Sequence, residues 1–196
     1  VATQVKTTLF DVIRNNKLYN PRNSATWFMN NVRNNTRAMG PLSVLGDNIH
    51  RQTDTPKIGQ MFFFTYDPKT KNELPYYDTF PLVLPFSVYP DTFYGINFHY
   101  LFPKVRFALV NKLLEFSSDD KLSPNAKIQV SWKMLNNASK FPEVKPAVKQ
   151  YLFSHVKSRM ARIPPDDMMM SVWLPVEKFR KQSAEFVWAD SKKASR

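Results

Sequence analysis

The sequence predicts an α+β fold, and three observations carry that prediction. The stretch 59–102, GQMFFFTYDPKTKNELPYYDTFPLVLPFSVYPDTFYGINFHYLF, is dense in phenylalanine and tyrosine and broken by proline and glycine at turn-like intervals. Short β-prone apolar runs bounded by turn residues read as buried strands, and three strands sharing an apolar face are enough to seed a sheet. Behind it the spacing changes: Val105, Leu109, Leu113 and Phe116 recur at helical intervals, with Leu114 alongside. Finally, 43% apolar and 14% aromatic content over 196 residues argues against disorder and suffices for one domain with a real core. The expected architecture is a small, strongly bent antiparallel sheet, or an SH3-like barrel, surrounded by helices. It divides into an N-terminal basic helical arm and loop, 1–58, and a core domain, 59–196. Within the core, 59–102 is the aromatic sheet, 104–163 the basic helices, and 164–190 a closing strand and terminal helix.

In chain order, residues 3–18 predict a short helix through Val5, Leu9, Val12 and Ile13. Arg14 and Lys17 lie near its end, where the helix dipole favours cations. Asn20-Pro21 ends it, and Ser24 is a good N-cap for a second helix over 25–39 with Trp27, Phe28, Met29 and Val32 on its apolar side. Its asparagines are poor helix formers, so it depends on docking. Arg33 and Arg37, spaced i, i+4, share one face. Gly40-Pro41 stops this helix, and 42–58, with His50, Arg51 and Lys57, is a loop long enough to imply a binding or assembly role.

Strands are expected over 61–66, 81–89 and 93–101. Asp67-Pro68-Lys69-Thr70-Lys71-Asn72 is turn chemistry between the first two. Pro81 and Pro85 lack an N–H and confine the second strand to an edge or a bend, and Gly95 marks a bulge or a close backbone approach. Pro103 opens a helix over 104–116. The segment 126–140 reads as another helix, although Ile128-Gln129-Val130 also suits a strand. Residues 145–157 read as a helix burying Val148, Tyr151, Leu152 and Val156, with Lys145 and Lys149 beside that face and Lys157 further round. An extended strand over 159–163, a turn at 164–167, a closing strand over 168–174 and a terminal helix from 175 to about 188 complete the chain.

Charge is distributed unevenly. Lys and Arg total 28 against 16 Asp and Glu, a formal net charge of +12. Residues 1–58 carry eight basic and three acidic groups, a net +5, whereas 59–103 carry two and four, a net −2. Residues 104–163 carry twelve and four, a net +8, and 164–196 six and five, a net +1. A mildly acidic aromatic core flanked by basic regions is the pattern of a scaffold presenting a face to a polyanion, the alternative being a generally basic solvated surface. Absence of cysteine excludes a disulfide framework and a Cys-based zinc site. No apolar run approaches the roughly 18 residues a membrane span needs, and nothing reads as a signal peptide, so no membrane partner is expected. Val1 in place of an initiator methionine is expected from processing or from numbering that begins after it.

The string G-x-M-F-F-F-x-Y-D-P-K-x-K-x-x-L-P-Y-Y-D-x-F-P-L-V, continued by Y-P-D-x-F-x-G-I-N-F-H-Y-L, resembles the DNA end protector proteins of T-even-type tailed phages. The likeness is close over about a quarter of the chain and continues weakly through 149–159 and 187–191. The resemblance implies a non-enzymatic virion protein that sits on the ends of packaged double-stranded DNA and shields the injected genome from a host RecBCD-type exonuclease. It further implies residence in the head or neck, the host cytoplasm after injection, contacts with portal or neck proteins, and no cofactor. The alternative is a structural head-completion or neck protein that plugs the portal with its positive charge facing the genome. The family offers no compact motif from which site residues carry over.

Site residues therefore come from the physics of phosphate binding. Cations held at phosphates release condensed counterions and give sequence-independent, salt-sensitive affinity. The expected set is Lys145, Lys149, His155, Lys157, Arg159 and Arg162, with Lys104, Arg106, Arg33 and Arg37, against the alternative of solvated basic faces. Trp27, Tyr76 and Tyr77 are the candidates for stacking on an exposed terminal base, though most aromatics here are expected to pack in the core. Catalytic patterns are absent from the sequence. His50, His99 and His155 lack zinc-ligand spacing, no Walker-A, Rossmann or G-x-S-x-G pattern occurs, and Asp67, Asp78 and Asp91 sit where turns favour aspartate.

Overall fold

A computed structural model describes residues 52–117, 121 and 123–195. The expected N-terminal helices, and with them Trp27, Arg33 and Arg37, lie outside the described residues. The strands are β1 Gln52–Thr53, β2 Met61–Phe63, β3 Tyr77–Asp78, β4 Leu82–Val88, β5 Thr92–Asn97, β6 Val148–Leu152, β7 Met160–Ile163 and β8 Phe179–Arg180. The helices are α1 Pro103–Ser117, α2 Pro124–Ala138, α3 Pro165–Ser171 and α4 Ala184–Ala194. Six strands form one antiparallel sheet in the order β1-β7-β2-β4-β5-β6, and β3 pairs with β8 as a separate ribbon. The fold is α+β.

Side-chain alternation divides the sheet's residues between two cores. Met61, Phe63, Leu82, Leu84, Ile96, Ala161 and Ile163 face one way and pack with helix residues such as Val110, Leu135, Met169 and Val187. Phe62, Phe64, Tyr66, Val83, Phe93, Tyr151 and Met160 face the other way and pack mainly on one another. That second cluster reports the curvature. In a flat sheet β2 and β6 lie three strand spacings apart, about 14 Å. Yet the Tyr151 ring on β6 meets Phe64 and Tyr66, just past β2, edge-on with centroids 5.3 and 4.9 Å apart. The sheet is therefore curled onto itself, and a single bridge, Tyr66 to Val156, touches across the gap. Among the described residues no ladder closes it, so the bent sheet holds and the closed barrel does not.

Gly95 has the close approach its setting implies. A Cβ there would lie 2.3 Å from Val83 Cγ1 and 3.1 Å from the Leu84 carbonyl oxygen. It stands opposite Pro85, where the β4–β5 register shifts, so the proline and the glycine share one irregularity.

Three expected elements differ. Residues 145–157 are not a helix: a 3-10 turn, Lys145–Ala147, leads into β6, and a second, Phe153–His155, follows it. Five residue pairs with β5 satisfy that backbone, and this pairing outweighs the helical spacing of Val148, Tyr151 and Leu152. Residues 168–174 do not form a closing strand. Pro165 at the first helical position, Asp166 and Asp167 in the first turn and a run of methionines make α3 instead. The terminal helix begins at Ala184, capped by the Ser183 hydroxyl accepting from the Phe186 N–H, because the preceding residues pair as β8 with β3. Among the described residues the strands expected near 61–66, 81–89, 93–101 and 159–163 are present, but the first stops at Phe63, the third stops at Asn97 before a 3-10 turn, Phe98–Tyr100, and the expected 42–58 loop contains β1. The segment open to either reading is α2, and the 104–116 stripe turns Val105, Leu109 and Leu113 toward the core, the side chain of Phe116 lying outside the described residues.

Candidate functional site

Asp78 on β3 is buried and fully engaged. Its carboxylate accepts from the Phe80 N–H at 3.0 Å, the Asn97 side-chain amide at 3.2 Å and His99 Nδ1 at 2.7 Å. Burial alone raises its pKa, but the field and hydrogen bond of His99, with those two amides, outweigh it and hold the carboxyl below its ordinary range. Asn97 also donates to the Tyr151 hydroxyl at 3.1 Å. This network forms the floor of a cleft of about 310 Å³ between the 66–74 segment, β3 and β6.

Lys149 enters that cleft from β6. Its Nζ lies 4.0 Å from the centroid of the Tyr100 ring and, among the described residues, makes no hydrogen bond or ion pair. Desolvation pushes its pKa down from 10.5 to about 8. Tyr77 and Tyr66 form further parts of the wall, and Lys69 and Thr70 stand at the turn. The cleft thus combines aromatic faces, a half-buried ammonium with open donor capacity and a rigid polar floor.

More cations gather around the 67–71 turn beside the cleft. Lys71 pairs with Asp67 at 2.9 Å. That hydrogen bond is the main reason the exposed Asp67 carboxyl sits low, with the fields of Lys157 and His155 adding to it. The His155 ring is held by Nδ1 against the Asp67 carbonyl at 2.8 Å, and the Asp67 N–H donates back to the His155 carbonyl at 3.1 Å. These bonds bring the 153–157 segment to the 67–71 turn, so Lys157 stands near Asp67 with Lys71, beside the cleft that Lys69 and Lys149 line.

The expected site residues divide accordingly. Lys149, Lys157, His155 and Tyr77 meet at or beside the cleft, although not on the helix face that spacing predicted. Lys145 and Lys104 are exposed but do not line it. Arg159 and Arg162 are exposed at β7, Arg162 paired in register with Phe62, while Arg159 contacts Asp54 at 3.3 Å. Arg106 is corrected outright: it is 2% exposed. Its guanidinium donates to the carbonyls of Leu101, Val172 and His99, pairs with Glu177 at 2.6 Å and lies over the Trp188 ring, which leaves no face for DNA. Tyr76 is likewise spent on packing, its hydroxyl donating to Asp190 at 2.6 Å and its ring set against Tyr100, Phe179 and Phe186. Lys69 and Lys71 were legible in the sequence only as turn residues, yet the turn carries Lys69 into the cleft wall and holds Lys71 on Asp67 beside it.

A family model described as phage T4 terminal DNA protecting protein matches residues 1–193. The chain belongs to this family. No curated protein and no solved structure matches it. Membership in this family supports protection of DNA termini in general. Among the described residues no helix is long and apolar enough to cross a membrane, and no three His, Asp or Glu side chains are grouped to hold a metal ion.

Proposed function

We propose that the protein binds the ends of double-stranded DNA and blocks exonuclease entry sterically, without catalysis and without a cofactor. The observation that carries this reading is an aromatic cleft lined by Lys69 and Lys149, with Lys71 and Lys157 beside Asp67 at the adjoining turn, in a terminal DNA protecting protein. The lysines supply phosphate affinity through counterion release, and the rigid curled sheet behind them supplies the bulk that denies a nuclease its end. In this reading the protein travels in the virion at the genome end, engages portal or neck proteins there, and enters the host cytoplasm on the injected DNA, where a RecBCD-type nuclease is its antagonist.

The test is digestion of linear duplex by a RecBCD-type enzyme with and without purified protein. Protection at a few molecules per end is the expected result. Unchanged digestion, together with assembly into rings or onto isolated portal, would instead identify a head-exit plug.

A further inference from the structure

We propose that the Lys149 cleft receives the terminal nucleotide of a DNA strand, its 5′-phosphate monoester on the Lys149 ammonium and its base against Tyr77. The proposal rests on the end-binding reading and says how an end is told from the middle of a duplex.

The cavity sets the size of the ligand. At about 310 Å³ it is at the small end of ligand pockets, with room for one nucleotide unit and none for a duplex. Its chemistry sets the kind. A lysine ammonium has three donors, and Lys149 has its contact with the Tyr100 face and no acceptor among the described residues. The other charged or titratable groups lining the cavity are Lys69, Asp78 and the tyrosines 66, 77, 100 and 151. Asp78 is already saturated by His99, Asn97 and the Phe80 N–H, so it does not compete for the lysine. Tyr66 and Tyr151 are buried against each other and Tyr100 is covered by the lysine, which leaves Tyr77 as the aromatic surface for a base.

A terminal monoester is the best match to such a site. It carries about −1.5 to −2 charges, more than an internal diester, and a desolvated ammonium gains most from the larger charge. The depressed pKa of Lys149, about 8, agrees with a cation that lacks its counter-ion in the free protein. A nucleotide within the strand enters only with both flanking phosphates, whereas a terminal one enters alone. Unpairing the last base pair costs a few kcal/mol at most, and base–tyrosine stacking offsets part of it.

The experiment is competition binding among three DNAs of equal length: linear with 5′-phosphates, linear with 5′-hydroxyls, and relaxed circular. It is run with the full chain and with Lys149→Gln, Lys149→Arg and Tyr77→Leu, each confirmed folded by near-ultraviolet circular dichroism. The wild type is expected to favour phosphorylated over hydroxyl ends by about tenfold. Lys149→Gln abolishes that preference, so that phosphorylated and hydroxyl ends compete equally. Lys149→Arg keeps part of it, and Tyr77→Leu weakens binding to both linear DNAs. Equal affinity for both kinds of end, each above circular DNA, overturns the cleft proposal while end binding stands. Equal affinity for linear and circular DNA overturns end binding, and the cleft proposal falls with it.

Discussion

Lys149 and Arg106 are both cations taken out of water, and their surroundings give them opposite effects on stability. Arg106 has an acceptor for nearly every donor direction, so removing it takes a donor from the Leu101 and Val172 carbonyls and the Glu177 carboxylate, while the His99 carbonyl keeps the Trp188 indole N–H. Arg106→Leu is expected to cost about 3–5 kcal/mol in urea denaturation, the range for breaking a buried ion pair from one side. Among the described residues Lys149 has only the Tyr100 ring. Its folded pKa, about 8, lies below its ordinary 10.5, so the folded state holds fewer protons than the unfolded state between those values. The penalty is thus full below pH 8 and is relieved as pH rises toward 10.5. Lys149→Met should accordingly be more stable than wild type by about 1–3 kcal/mol at pH 7, with the gain fading by pH 10. A lysine kept at a stability cost is expected where function needs it. The sequence showed that both residues were basic but not which one would be buried. That depends on where residues 99, 101, 172 and 177 come together, and no local spacing encodes it.

Elements were legible where side-chain period and turn chemistry agreed, and illegible where a distant partner decided. β2, β4, β5 and α1 follow from alternation, proline placement and a helical stripe. β6 does not, because residues 145–152 carry a helical spacing of apolar groups and become a strand by completing the free edge of β5. Gly95 is the most local of these determinants. Gly95→Ala is expected to destabilise by about 1–3 kcal/mol through overpacking against Val83. Adding Val83→Ala should recover part of that loss in a double-mutant cycle, while the Leu84 carbonyl at 3.1 Å keeps the recovery incomplete. Strict additivity of the two substitutions would show that the close approach is relieved by backbone movement instead.

At the scale of the molecule, the basic total in the composition announced a polyanion partner, but the face came from the curl of the sheet. The end of β2 and the chain leaving β6 meet across the Tyr66–Val156 bridge, and that meeting sets the 67–71 turn beside Lys149 and Lys157. Replacing Lys69, Lys71 and Lys157 by Gln should therefore lower the salt slope of DNA affinity by about 0.9 for each phosphate that those ammonium groups neutralise. A slope unchanged by the triple substitution would move phosphate binding to another surface, such as the exposed arginines of β7. The central claim, that the protein recognises DNA where it ends, is tested most directly by imaging labelled protein on single stretched linear duplexes. Occupancy concentrated at the two termini at physiological salt is the predicted result, and occupancy spread evenly along the contour contradicts the account.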